Sequence, residues 1–199
     1  LDRAVRVWDV DSAKELHKLE RHSGNILAVK FHPSGRYFAS ASLDKTIRLW
    51  DLDSGKVVET YTGHNKGVLD IDFSADGHYL ASGSADKTVI LWEVYTGQKI
   101  YSFVDHQDQV NTVRFSPDGG YIASGSSDKL IMIWKLNKSI LAYYSFQKEI
   151  DDEIGQSVLF GPKRKNESKQ QFTEREEKAK EALEEMYEKY FQKYLNTRS

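Results

Sequence analysis

The chain has 199 residues, 28 basic and 30 acidic side chains, a formal net charge of -2 and no cysteine. That length holds one domain or two. The charge balance lacks the basic excess that nucleic-acid binding needs, and the missing cysteines exclude disulfides, thiolate metal sites and a cysteine nucleophile. No stretch approaches ~18 consecutive apolar residues, so no membrane insertion is expected. Leu1-Asp2-Arg3-Ala4 is not the basic start and apolar run of a signal peptide. The chain begins without methionine and reads as a piece of something longer.

Four tryptophans, Trp8, Trp50, Trp92 and Trp134, are spaced 42 residues apart. A fixed period of this size marks a solenoid, propeller or array, so the repeat is read before any single element. Asp2, Asp44, Asp86 and Asp128 keep the step, each six residues before a tryptophan. His22, His64 and His106, then Phe31, Phe73 and Phe115, then Tyr37, Tyr79 and Tyr121 keep it too.

Along the chain, Trp8 closes a first, incomplete unit. Each later unit opens with a short apolar alternation ending at Phe31, Phe73 or Phe115. A tight turn follows: Pro33-Ser34-Gly35, Ala75-Asp76-Gly77 or Pro117-Asp118-Gly119. Glycine supplies the positive φ of such turns and proline the fixed one. A second strand begins at Tyr37, Tyr79 or Tyr121. The turn after it carries the repeated aspartate. A third strand alternates with period two up to the tryptophan, as in Thr46-Ile47-Arg48-Leu49-Trp50. After Gly55 or Gly97 a fourth strand runs over 57–62 or 99–104. Four strands fill the unit and leave no room for a helix.

Gly63-His64, Trp8-Asp9 and Trp50-Asp51, with Ala-Ser-Gly-Ser at 81–84 and 123–126, resemble the WD40 family of β-propellers. Arg21-His22, Asp105-His106, Trp92-Glu93 and Trp134-Lys135 each depart at one position. The resemblance covers residues 1–147. It implies an all-β propeller fragment of about three and a half four-stranded blades, with the further blades of a seven-bladed ring before Leu1 or supplied by another chain. Residues 140–146 fit its last strand, and 148 is lysine where the next histidine belongs.

Repeated His, Ser and Asp could be read as base, nucleophile and orienter, but three equivalent active sites around one ring are not expected. The resemblance instead implies a hydrogen-bonded chain inside each blade: Trp50, Ser40, His22, Asp44; then Trp92, Ser82, His64, Asp86; then Trp134, Ser124, His106, Asp128. No catalytic residue, metal or cofactor is expected. Relatives of this kind dock partners on one face. Carried over by position, that face is Asn25, Leu27 and Leu43; Gly67, Leu69 and Ala85; Gln109, Asn111 and Ser127. The leucines are apolar where exposure is expected, and the last three residues are polar.

Residues 148–172 read as a linker with a basic triplet at 163–165 and a short apolar patch at 158–160. Thr173-Glu174-Arg175-Glu176 is a capping-box pattern, and a helix is expected over 173–196. Glu174 with Lys178, Glu176 with Lys180 and Glu185 with Lys189 are favourable i,i+4 pairs. Leu183, Met186, Tyr187, Tyr190, Phe191 and Tyr194 form an apolar stripe that needs a surface: its own propeller, a partner or a short coiled coil, or a further domain.

The function expected is a non-enzymatic scaffold within a larger intracellular complex, cytoplasmic or nuclear, cytoskeletal or ciliary, anchored by its helix and bound to one or more proteins. The alternatives are a substrate adaptor of a ubiquitin ligase or the sensor propeller of a multidomain enzyme. Some ligase adaptors carry Trp-Asp-x-Arg; here Asp11 and Asp53 stand at the arginine position.

Overall fold

The computed structural model describes residues 3–136, 147–157, 164 and 167–196; the side chains at 147, 148, 151, 155, 194 and 195 lie outside that description. The chain forms two compact units, divided after Lys135.

The first unit is all β. Strands β1 (Val5–Asp9) and β2 (Lys14–Leu19) form a two-stranded ribbon. Blade one follows as β3 (Ile26–Phe31), β4 (Tyr37–Ser42), β5 (Ile47–Asp51) and β6 (Val57–Tyr61), an antiparallel meander. Blade two repeats it with β7 (Val68–Phe73), β8 (Tyr79–Ser84), β9 (Val89–Glu93) and β10 (Lys99–Phe103). Blade three holds β11 (Val110–Phe115), β12 (Tyr121–Ser126) and β13 (Ile131–Lys135). The fourth strand expected over 140–146 lies outside the described residues.

The blades stack face to face, which explains a departure from simple alternation. β8 is buried at all six positions and β9 at four of five, because blade two is covered on both faces. β13 alternates exposed and half-buried instead. One core joins Ala39, Ile47 and Leu49 of blade one to Ile71, Leu80 and Trp92 of blade two. Another packs Val5 and Leu19 of the ribbon on Phe38 and Trp50. Among the described residues no strand pairing joins one blade to the next, and side chains satisfy the edge backbone. Asp70 on β7 accepts the Val113 N–H at 3.0 Å and the Thr112 hydroxyl at 2.9 Å, and Asp72 accepts the Phe115 N–H at 2.9 Å. These carboxylates fill the acceptor role that a neighbouring strand would otherwise supply.

The second unit is helical. Helix α1 (Gln147–Gln156) stands where the sequence reads as linker. Its reason is apolar: Ile150 is fully buried against Met186 and Tyr190, with Ile154 beside it. Helix α2 runs Lys169–Asn196, one turn longer at its start than the pattern at Thr173 suggests. The capping box is Ser168 to Gln171. The Gln171 N–H donates to Ser168 Oγ at 3.1 Å, and the Ser168 N–H donates to Gln171 Oε1 at 2.9 Å. Thr173 is already inside the helix, its hydroxyl donating to the Lys169 carbonyl. Lys189 reaches across to Glu153 on α1 at 2.8 Å.

Candidate functional site

In each blade four side chains form one directional chain. The Trp50 indole N–H donates to Ser40 Oγ at 2.8 Å, and Ser40 Oγ lies 2.8 Å from His22 Nε2. His22 Nδ1 lies 2.7 Å from Asp44 Oδ2. With the ring neutral, one proton assignment satisfies every partner: Ser40 donates to Nε2, and Nδ1–H donates to the carboxylate. Trp92, Ser82, His64 and Asp86 repeat the chain at 2.8, 2.7 and 2.9 Å. Trp134, Ser124, His106 and Asp128 repeat it at 2.8, 2.8 and 2.7 Å.

Each aspartate is also the knot of its turn. Asp44 Oδ1 accepts the Thr46 N–H and hydroxyl, at 3.0 and 2.6 Å, while Oδ2 accepts the Ser23 N–H at 3.0 Å. Thr88 does the same for Asp86. In blade three Leu130 replaces the threonine, and only its N–H bonds to Asp128. Thr46 and Thr88 were not among the residues singled out from the sequence, although their 42-residue step was there to find. Burial raises the Asp44 carboxyl, but the bonds from Thr46, His22 and Ser23 together outweigh it and hold the value at about 2. Asp128, opposed by desolvation and favoured by Gln107, His106 and Leu130, also lies at about 2. Burial lowers His22, so its ring is neutral at pH 7.

The chain Ser-His-Asp has the bonding order of a catalytic triad. Its serine does not have the access of one. Ser40 and Ser82 have no exposed surface, and one lone pair of each hydroxyl is taken by an indole N–H. Among the described residues no three His, Asp or Glu side chains form a metal-ligand group.

Six of the nine face positions are tied in backbone pairs. The Leu43 N–H donates to the Asn25 carbonyl, Ala85 to Gly67 and Ser127 to Gln109, at 2.9, 3.0 and 3.0 Å. Asn111 Nδ2 donates to Ser127 Oγ at 2.9 Å. Leu27, Leu69 and Asn111 are each skipped in the strand register: Ile26 and Ala28, Val68 and Asp70, Val110 and Thr112 find partners on the next strand, and the residue between does not. All three are β-bulges, which re-aim a side chain out of the sheet. Leu27 and Leu43 are 45% and 46% exposed. Leu69 is half-buried and Gly67 buried, so the apolar set is narrower than the positions alone suggest. A β-carbon at Gly67 would lie 2.6 Å from Leu43 Cδ2, so glycine there lets Leu43 lie across the seam to blade two.

On the helical unit, Met186 and Tyr190 of the predicted stripe are buried by α1, with Tyr187 and Phe191 packed beside them and Leu183 half-buried. The Tyr194 side chain lies outside the described residues. No described helix is long and apolar enough to cross a membrane.

Three stretches, 13–51, 55–93 and 97–135, match the family described as WD domain, G-beta repeat. They cover more than half of the chain, which belongs to the WD40-repeat family. A 39-residue stretch is 51% identical to transcription initiation factor TFIID subunit 5 of Caenorhabditis elegans, covering 20% of this chain and 6% of that protein.

Proposed function

We propose that the chain is a non-catalytic scaffold that binds protein partners through the bulge face of its blades, as a subunit of a larger assembly. The observation that carries this is the contrast between the two residue sets. The serines and histidines of the Trp-Ser-His-Asp chains are buried and bonded within them, and the serine that would be the nucleophile is closed to substrate. Leu27 and Leu43, by contrast, stand exposed on blade one, and the equivalent positions of blade three hold exposed, polar Gln109, Asn111 and Ser127. An exposed apolar patch with polar residues further round the same set of positions suits protein contact. The similarity to a transcription initiation factor subunit supports membership of a multiprotein complex and, with it, a nuclear setting; being one blade long, it selects no particular complex. The helical unit is proposed as a second attachment. Asp11 and Asp53, in place of the arginine of ligase adaptors, weigh against the ubiquitin-ligase reading for these blades.

The test is capture of native partners by the full chain carrying Leu27→Asp or Leu43→Asp. The expected result is loss of the captured proteins with a melting temperature within about 2 °C of the parent, since ~0.5 kcal/mol is usual for a surface change. Unchanged capture by both variants, with folding intact, rules out this face. Removing 169–196 separates the second attachment from the first.

A further inference from the structure

The seam between the β1–β2 ribbon and blade one holds a groove of about 490 Å³ lined by Arg21, Arg48, Gly55, Lys56 and Val57. Three of its five residues are cations. Arg48 is the second residue of β5, two residues before Trp50, and its Nε–H is buried with no hydrogen-bond partner. Arginine does not shed its proton in proteins, so this is a fixed charge with an unmet donor, and such a group calls for an explanation. Among the described residues, neither Arg21 nor Arg48 nor Lys56 is paired with a carboxylate. The two acids flanking this stretch of β2 are engaged elsewhere: Glu15 bonds Arg6, and Glu20 pairs with Lys18.

The next seam carries uncharged residues at the same places. One repeat further on, Gly63, Ile90 and Gln98 stand at the places of Arg21, Arg48 and Lys56. The fold therefore does not require charge here; one repeat earlier Arg6 and Lys14 take the places of Arg48 and Lys56, but Arg6 is held by Glu15 at 2.6 Å, whereas Arg48 has no carboxylate partner among the described residues. Two guanidinium groups offer flat, forked donors that match oxyanion geometry, and an ammonium adds a point charge.

We propose that this groove binds a phosphate-class oxyanion, with the buried Nε–H of Arg48 as its inner donor and Arg21 and Lys56 at its mouth. A dianion relieves the repulsion among three cations and meets the orphan donor in one step, which a single carboxylate does less completely. The phosphoryl group could arrive on a phosphorylated side chain or as a free ion.

The experiment is a titration of the full chain with inorganic phosphate at constant ionic strength, following the Arg48 Nε–H resonance. Saturable shifts are expected, absent with chloride. Arg48→Ile, Arg21→Gly and Lys56→Gln each install the residue of the next seam, so folding should survive; melting curves check this. Arg48→Ile should weaken binding at least tenfold, and the other two by smaller factors. A phosphoserine peptide and its unphosphorylated twin form a second arm. Tighter binding of the phosphopeptide than of inorganic phosphate assigns the site to a protein-borne phosphate. The reverse order assigns it to a free ion. Linear, unsaturable shifts, or equal binding by a folded Arg48→Ile variant, overturn the proposal.

Discussion

The imidazole Nε2 of His32 lies 2.9 Å from the carbonyl oxygen of Gly77, on the turn of the following blade. Its other nitrogen accepts from Ser34, so the Nε2–H is the donor. Gly77 has φ +73°, and a β-carbon there would fall on the imidazole. Gly35 has the same φ with nothing within 4 Å. Gly35→Ala therefore costs only the left-handed backbone penalty, about 1–2 kcal/mol. Gly77→Ala should cost that and the inter-blade bond as well, about 1 kcal/mol more. Urea denaturation of the two variants side by side reads the difference.

Removing Asp86 takes the acceptor from the His64 ring and from the Asn65 and Thr88 N–H groups at once. Buried donors left unmet cost ~1–3 kcal/mol each, so Asp86→Ala should destabilise the blades by about 3 kcal/mol, read from the unfolding midpoint. Asp128→Ala lacks a threonine hydroxyl to strand and should cost less.

Acid should unfold the blades in two stages. The His22 value is below 6.5 in the fold, so as pH falls through about 6.5 the unfolded chain takes a proton that the folded chain refuses, and stability drops. Asp44 and Asp128 titrate at about 2 in the fold and at 3.8 when unperturbed, so their contribution is intact above 3.8 and is lost between there and about 2. Denaturation midpoints at several pH values from 7.5 to 2.5 should show both declines, and Asp44→Asn should remove much of the lower one.

In the helical unit, Ile150→Ala deletes a fully buried side chain between Met186 and Tyr190. Such deletions cost about 2–5 kcal/mol, whereas the exposed Lys189–Glu153 pair is worth under ~1 kcal/mol. Amide exchange in α2 should accelerate strongly for Ile150→Ala and little for Lys189→Ala.

The blades were legible because each repeats its neighbour, so Trp50, His64 and Asp128 announce their roles by spacing. What does not repeat was hidden. Asp70 and Asp72 cap the edge of β11, yet Ala28 and Thr112, Lys30 and Arg114 occupy the matching positions. The bulges at Leu27, Leu69 and Asn111 are a matter of hydrogen-bond register, which hydrophobic alternation does not record. Helix α1 was missed because its apolar contact surface is short, with Ile150 and Ile154 meaningful only once α2 lies beside them. The earlier cap at Ser168 went unseen because Thr173 offered the same pattern one turn on.

Because a bulge residue belongs to no rung of the ladder, the side chain at Leu27, Leu69 or Asn111 can be exchanged without altering a single strand partner. If the bulge face binds partners as proposed, recognition and architecture occupy separate positions of one 42-residue unit. Such a blade can be copied wholesale and then retargeted one residue at a time, each copy acquiring a new surface on an inherited frame.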